Sequence, residues 1–141
     1  MTRIDFYVSK DTQNSARLSL ACRIAEKAYK LGNRIHIHTE SAEQSQMIDD
    51  LLWTFRDGSF VPHDKISNNH NDIVPITIDN GKDLTIEADV LINLAQDIPS
   101  FFSQFERVAE LVNEDPLYKS QARERYRFYR DRGYDLNTHN L

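Results

Sequence analysis

The chain has 141 residues and a net charge of −5, from 22 acidic and 17 basic side chains. That length suits one domain, residues 1–141, with a sizeable core. The acidic balance argues against broad, sequence-independent attachment to a phosphate backbone. No apolar run approaches membrane-spanning length, Met1–Val8 carries no signal-peptide pattern, and the single cysteine, Cys22, excludes an internal disulfide. Together these point to a cytoplasmic protein with no membrane partner.

Arg3–Val8 (RIDFYV) alternates and is rich in β-formers, which predicts a strand. A polar turn over Ser9–Asn14 leads to apolar positions at helical spacing from about Ser15 to Leu31, with Cys22 as a small core residue and Gly32 as the stop. Arg34–His38 (RIHIH) is a second strand, and Ser41 with Gln44 has the spacing of a capping box opening a helix through about Trp53. This β-α-β-α opening predicts parallel strands joined by a right-handed crossover. The expected fold class is α/β: a Rossmann-like domain with a mostly parallel sheet flanked by helices. The first strand-to-helix turn, SKDTQNS, has no glycine, and GxxxxGK(S/T) is absent. A pyrophosphate needs close backbone approach at that turn, so no nucleotide-binding loop and no cofactor are expected.

Leu51–His63 (LLWTFRDGSFVPH) crowds Trp53, Phe55 and Phe60 around an Asp57-Gly58 turn. Aromatic residues after a helix are ordinarily core. At a turn, which tends to lie at the surface, they are candidates for interface anchors. Asp64–Asp72 reads as a polar loop, Val74–Ile78 as a strand, and Asn80-Gly81 as a tight turn with Leu84–Ile86 as a possible hairpin partner. Val90–Leu94 (VLINL) suits a buried strand, Pro99 and Ser100 open a short helix through Phe105, and Arg107–Val112 is expected to be the last strand.

Catalytic patterns do not stand out. His36 and His38 share one strand face, but no neighbouring Cys, Asp or Glu completes a metal-ligand spacing, and His63, His70 and His139 fall in loop-like segments. GxSxG and HExxH are absent, and Cys22 lies in a helix interior rather than in an activating setting.

The chain ends in a marked helix. Asp115 is a natural N-cap, Pro116 suits the first helical position and Gly133 the left-handed residue beyond the end. Lys119, Arg123, Arg125, Arg127, Arg130 and Arg132 lie between them, opposed within Asp115–Gly133 by Asp115, Glu124 and Asp131, with Tyr118, Tyr126, Tyr129 and Tyr134 interleaved. Lys119, Arg123, Tyr126 and Arg130 follow i, i+4, i+7, i+11 along one stripe. Such a stripe suits an acidic peptide with an apolar anchor or a free carboxylate. Basic residues toward a helix C-terminus also simply complement its dipole, and spacing alone favours that ordinary reading.

The segment Ala122–Asn137 (ARERYRFYRDRGYDLN) resembles the C-terminal signature of the chi subunit family of bacterial DNA polymerase III. LLWTFRDGSFVPH resembles that family's second block, and the Phe6-Tyr7 strand and VLINL match in order. The resemblance covers most of the chain apart from Asp64–Glu87. It implies a non-catalytic clamp-loader accessory subunit, monomeric alone, that bridges the psi subunit to the single-stranded-DNA-binding protein. That protein ends in an acidic tail closed by an apolar residue and its carboxylate.

By the same resemblance Lys119, Arg123 and Tyr126 bind the tail, Arg123 taking the terminal carboxylate, while Val112, Tyr134 and Leu136 wall its apolar pocket. Trp53, Phe60, Val61 and Pro62 face psi. The rival classes are an adaptor for a repair helicase through the same aromatic surface, a degenerate Rossmann-type enzyme, and direct nucleic-acid binding by the basic helix. Negative total charge disfavours the last of these, so no direct nucleic-acid partner is expected.

Overall fold

The computed structural model describes residues 2–54, 62–65, 74–83 and 87–141. Among these, seven strands form one sheet: β1 (Arg3–Val8), β2 (Ile35–His38), β3 (His63–Lys65), β4 (Ile76–Asp79), β5 (Val90–Asn93), β6 (Arg107–Val112) and β7 (Asp135–Asn140). Their order is β3-β4-β2-β5-β6-β1-β7, and every neighbouring pair is parallel. Helices α1 (Asn14–Lys30), α2 (Ala42–Thr54) and α3 (Pro116–Asp131) complete the α/β architecture, with a 3₁₀ turn at Phe102–Gln104.

Strand alternation sends side chains to two apolar layers. On one face Ile35, Ile37, Ile76, Ile78 and Ile92 meet Leu18, Ala21, Cys22 and Ala25 of α1 and Ile48 and Leu52 of α2. On the other, Ile4, Phe6, Leu91, Val108 and Val112 meet Phe101, Phe102 and Phe105 and the Ala122 and Tyr129 positions of α3. Full burial of such a side chain is worth about 1.5–3 kcal/mol, so these two layers carry the fold. The β5 run is buried at all four positions, as a strand covered on both faces must be.

Local chemistry marks the helix ends. Ser41 Oγ accepts from the Gln44 amide at 3.1 Å, while Gln44 Oε1 reaches back one residue beyond the usual capping box, to the Glu40 amide at 2.8 Å. The Asp115 carboxylate accepts from the Leu117 amide at 2.9 Å, with Pro116 opening α3. Gly133, at φ 78°, closes α3: its amide reaches the Arg130 carbonyl and the Tyr134 amide the Tyr129 carbonyl, a Schellman pair.

Three expectations change. β6 is not the last strand, because the chain after Gly133 returns as β7 beside β1, pairing Ile4 with Leu136 and Phe6 with Thr138. Asp64 and Lys65, expected to open a polar loop, belong with His63 to strand β3, and His139 likewise lies in β7 rather than in a loop. β4 runs parallel to both neighbours, β3 and β2. The proposed partner Leu84–Ile86 and the Asp57-Gly58 turn lie outside the described residues.

Candidate functional site

The buried face of α3 reads Ala122, Arg125 and Tyr129. Arg125 is therefore not part of the surface charge that the sequence suggested. Its Nε donates to Glu110 Oε1 at 2.9 Å and its Nη1 to the Gln96 carbonyl at 2.9 Å. Glu110, wholly buried on β6, also accepts from the Tyr129 hydroxyl at 2.7 Å and from Asn93 Nδ2 at 3.1 Å. Burial and then the Glu110 carboxylate push the Tyr129 phenol far above its ordinary pKa, so it serves as a fixed donor. This network pins α3 to the sheet. The signal for it was present in the sequence, since Glu110 alternates with Val108 and Val112 and so had to be a buried charge with a partner.

With Arg125 turned inward, the outer flank carries Lys119, Arg123, Tyr126 and Arg130. Lys119 Nζ sits 3.0 Å from Glu114 Oε2, a partly exposed pair that solvent weakens. Arg130 lies 3.3 Å from Asp131, Arg127 pairs with Glu124 at 2.8 Å, and Arg132 stacks 3.6 Å above the Phe128 ring. Among the described residues, Arg123 is the one cation of α3 with no ion pair, hydrogen bond or ring contact, and it is exposed. Tyr126 stands edge-on to Phe6 of β1, ring centroids 5.3 Å apart, with about a third of its surface open.

The expected pocket wall divides. Val112 is buried in the layer beneath α3, and Leu136 and Tyr134 pack partly buried against it. Tyr134 stands edge-on to Phe102 at 5.2 Å and to Tyr129 at 6.3 Å, under the C-terminal end of α3. Phe102 and Phe128 line a cavity of about 540 Å³ on the flank of α3 that carries Gln121 and Glu124, so Tyr134 belongs to that aromatic group more than to the Lys119–Tyr126 stripe.

The described part of the aromatic block, Trp53 and Pro62, lies toward the other edge of the sheet. Trp53, at the end of α2, is half exposed and its ring meets His63 of β3 at 4.6 Å, with Pro62 half-buried beside it in sequence. Phe55, Phe60 and Val61 lie outside the described residues. Five strand spacings separate β3 from β1, roughly 24 Å, so the two surfaces are distinct.

No group of three or more His, Cys, Asp or Glu side chains suited to a metal occurs among the described residues. His36 and His38 are buried instead, His36 Nδ1 lying 2.8 Å from Thr77 Oγ1. No helix among the described residues is long and apolar enough to cross a membrane. Cys22 is fully buried and its thiol is pushed up to about 12 by that burial, far from the thiolate a nucleophile needs.

Residues 1–137 match the family described as DNA polymerase III chi subunit, HolC. The chain is 41% identical over all 141 residues to a Pseudomonas aeruginosa protein named DNA polymerase III subunit chi, covering 98% of it. It is 34% identical to the protein of that name from Haemophilus influenzae over 96% of this chain and 95% of the relative, and 34% identical to that from Escherichia coli over 88% and 85%. The chain therefore belongs to the chi family of DNA polymerase III subunits, with a role in DNA replication.

Proposed function

We propose that this chain is a non-catalytic connector in which the outer flank of α3 holds the acidic C-terminal tail of the single-stranded-DNA-binding protein. The observation that carries the reading is the state of Arg123. Its guanidinium projects from an otherwise acidic protein with no carboxylate among the described residues claiming it, four residues from Lys119 and three from Tyr126. A planar fork of donors is the group that binds a terminal carboxylate in two parallel hydrogen bonds. Tyr126 over Phe6 gives the neighbouring apolar side chain a surface to cover, and Lys119 can exchange Glu114 for an acidic residue of the ligand. The reading is tested by titrating a tail peptide, and the same peptide with an amidated C-terminus, into the protein. Equal affinity for both would remove Arg123 from the carboxylate.

The second surface, Trp53 with Pro62, is assigned to the psi subunit and through it to the clamp loader, with Phe60 and Val61 added from the sequence. Half the Trp53 surface is open at the opposite end of the sheet, which leaves both partners free to bind at once. Each tail contact is weak alone. Several tails presented on coated DNA raise the effective concentration and convert weak contacts into firm, exchangeable attachment.

A further inference from the structure

At the carboxyl ends of β2 and β5 the chain leaves the sheet in opposite senses. After β2, α2 runs over the face that buries Ile48 and Leu52 and leads to β3 at one edge. After β5, the segment through Phe101 and Phe105 covers the other face and leads to β6, on the other side. Neighbouring parallel strands whose connections diverge in this way leave a crevice outside their carboxyl ends, the usual ligand position in open α/β sheets. A cavity of about 480 Å³ occupies that place, within the range of small-molecule sites.

His38 lines it. The residue is only 8% exposed, and neither ring nitrogen has a hydrogen-bond partner among the described residues. Nδ1 is sealed from solvent and unpartnered, which leaves Nε2 as the nitrogen able to meet a ligand. Nδ1 stays unpartnered whatever the crevice holds, whereas Nε2 is not sealed and can exchange a hydrogen bond with water for one with a ligand. The Phe101 ring, edge-on at 5.5 Å and 88°, holds the imidazole plane. Desolvation lowers the His38 pKa, so the ring offers a neutral hydrogen bond rather than a charge. Buried Ala95 and Pro99 supply apolar contact, and the exposed rim sets Glu40 and Asp97 against Lys82. Two carboxylates against one ammonium, with Gly81 the single glycine of the lining, disfavour a phosphate.

We propose that this crevice binds a small, uncharged heterocycle of the nucleobase type, hydrogen-bonded to His38 and packed on Pro99. The site is separate from both protein-docking surfaces. The test is titration of the full chain with adenosine, and in parallel with ATP, followed by the His38 ring resonances in NMR spectra. Saturable shifts with adenosine, weaker with ATP, are expected. His38→Leu removes one neutral hydrogen bond and should weaken adenosine about tenfold. Ser100→Trp, on the exposed rim, should block the crevice without disturbing the sheet. No saturable shift at His38, unchanged binding in both variants, or tighter binding of ATP than of adenosine would each overturn the assignment.

Discussion

Arg125 of α3 donates from Nε to a Glu110 carboxylate on β6 that has no solvent exposure at all, at 2.9 Å. Removing one member of such a pair strands the other charge in a low-dielectric interior, which costs about 3–5 kcal/mol. Arg125→Met should therefore destabilise the protein by that amount in urea unfolding. Replacing both Arg125 and Glu110 with apolar residues should recover only part of the loss, because the buried Tyr129 hydroxyl then loses its acceptor. A single variant within about 0.5 kcal/mol of the parent, the usual range for surface changes, would show that the pair is not what pins the helix.

This pair also shows where sequence and structure part. Elements with strong periodicity or marked ends were legible: β1 and β6 have their predicted bounds, and both Asp115 and Gly133 do what their chemistry demands. β7 was not legible, because DLNTHN is an exposed edge with little apolar alternation. Its pairing comes from elsewhere in the chain. The Schellman turn aims it, Leu136 packs beside Ile4, and His139 stacks on Tyr7 at 4.7 Å while reaching Asp5 at 3.2 Å. The candidate site was legible as a stripe, but not as a choice among cations. Only tertiary partners reveal that Arg125 is interior and that Arg123 alone among the α3 cations is unclaimed by the described residues.

Arg123→Ala should leave stability within about 0.5 kcal/mol, since the side chain is exposed and has no hydrogen bond, ion pair or ring contact among the described residues. It should weaken a tail peptide by about 2 kcal/mol or more, roughly thirtyfold, as expected of a central charged anchor. Lys119→Ala should cost less, because Glu114 already holds that ammonium in the free protein. Parent affinity should fall as salt shortens the Debye length from about 8 Å at physiological strength to about 3 Å at 1 M. Calorimetry across a salt series reads all of these. A salt-independent affinity would mean that apolar contact, not charge, holds the tail.

The histidines on β2 make stability pH-dependent. Burial, and then the neighbouring His38, lower the His36 pKa to about 4 from the 6.5 of a free side chain. The folded state therefore keeps His36 neutral while the unfolded chain takes up a proton, so His36 contributes fully above about pH 6.5. The contribution falls as pH drops toward about 4, by roughly 3 kcal/mol in all. His36→Leu removes this slope. The gap between parent and His36→Leu stabilities, measured by urea unfolding at pH 7.5 and pH 5, should shift in favour of the variant at the lower pH. Parallel stabilities at both values would place the His36 proton uptake outside this window.

Trp53 is the single tryptophan of the chain, and half its surface is open, so its fluorescence reports on one place. Covering the indole with a partner removes water from around it. Addition of psi should therefore shift the emission to shorter wavelength, whereas the tail peptide, at the far side of the sheet, should leave it unchanged. Trp53→Ala truncates a large aromatic anchor and should weaken psi by about 2 kcal/mol or more while tail affinity is kept. Because roughly 24 Å separates the strands beneath the two surfaces, the Trp53→Ala and Arg123→Ala effects should add within about 0.5 kcal/mol for either partner. A double variant that departs from additivity would mean that the two surfaces communicate, and the picture of two independent grips on one rigid sheet would fail.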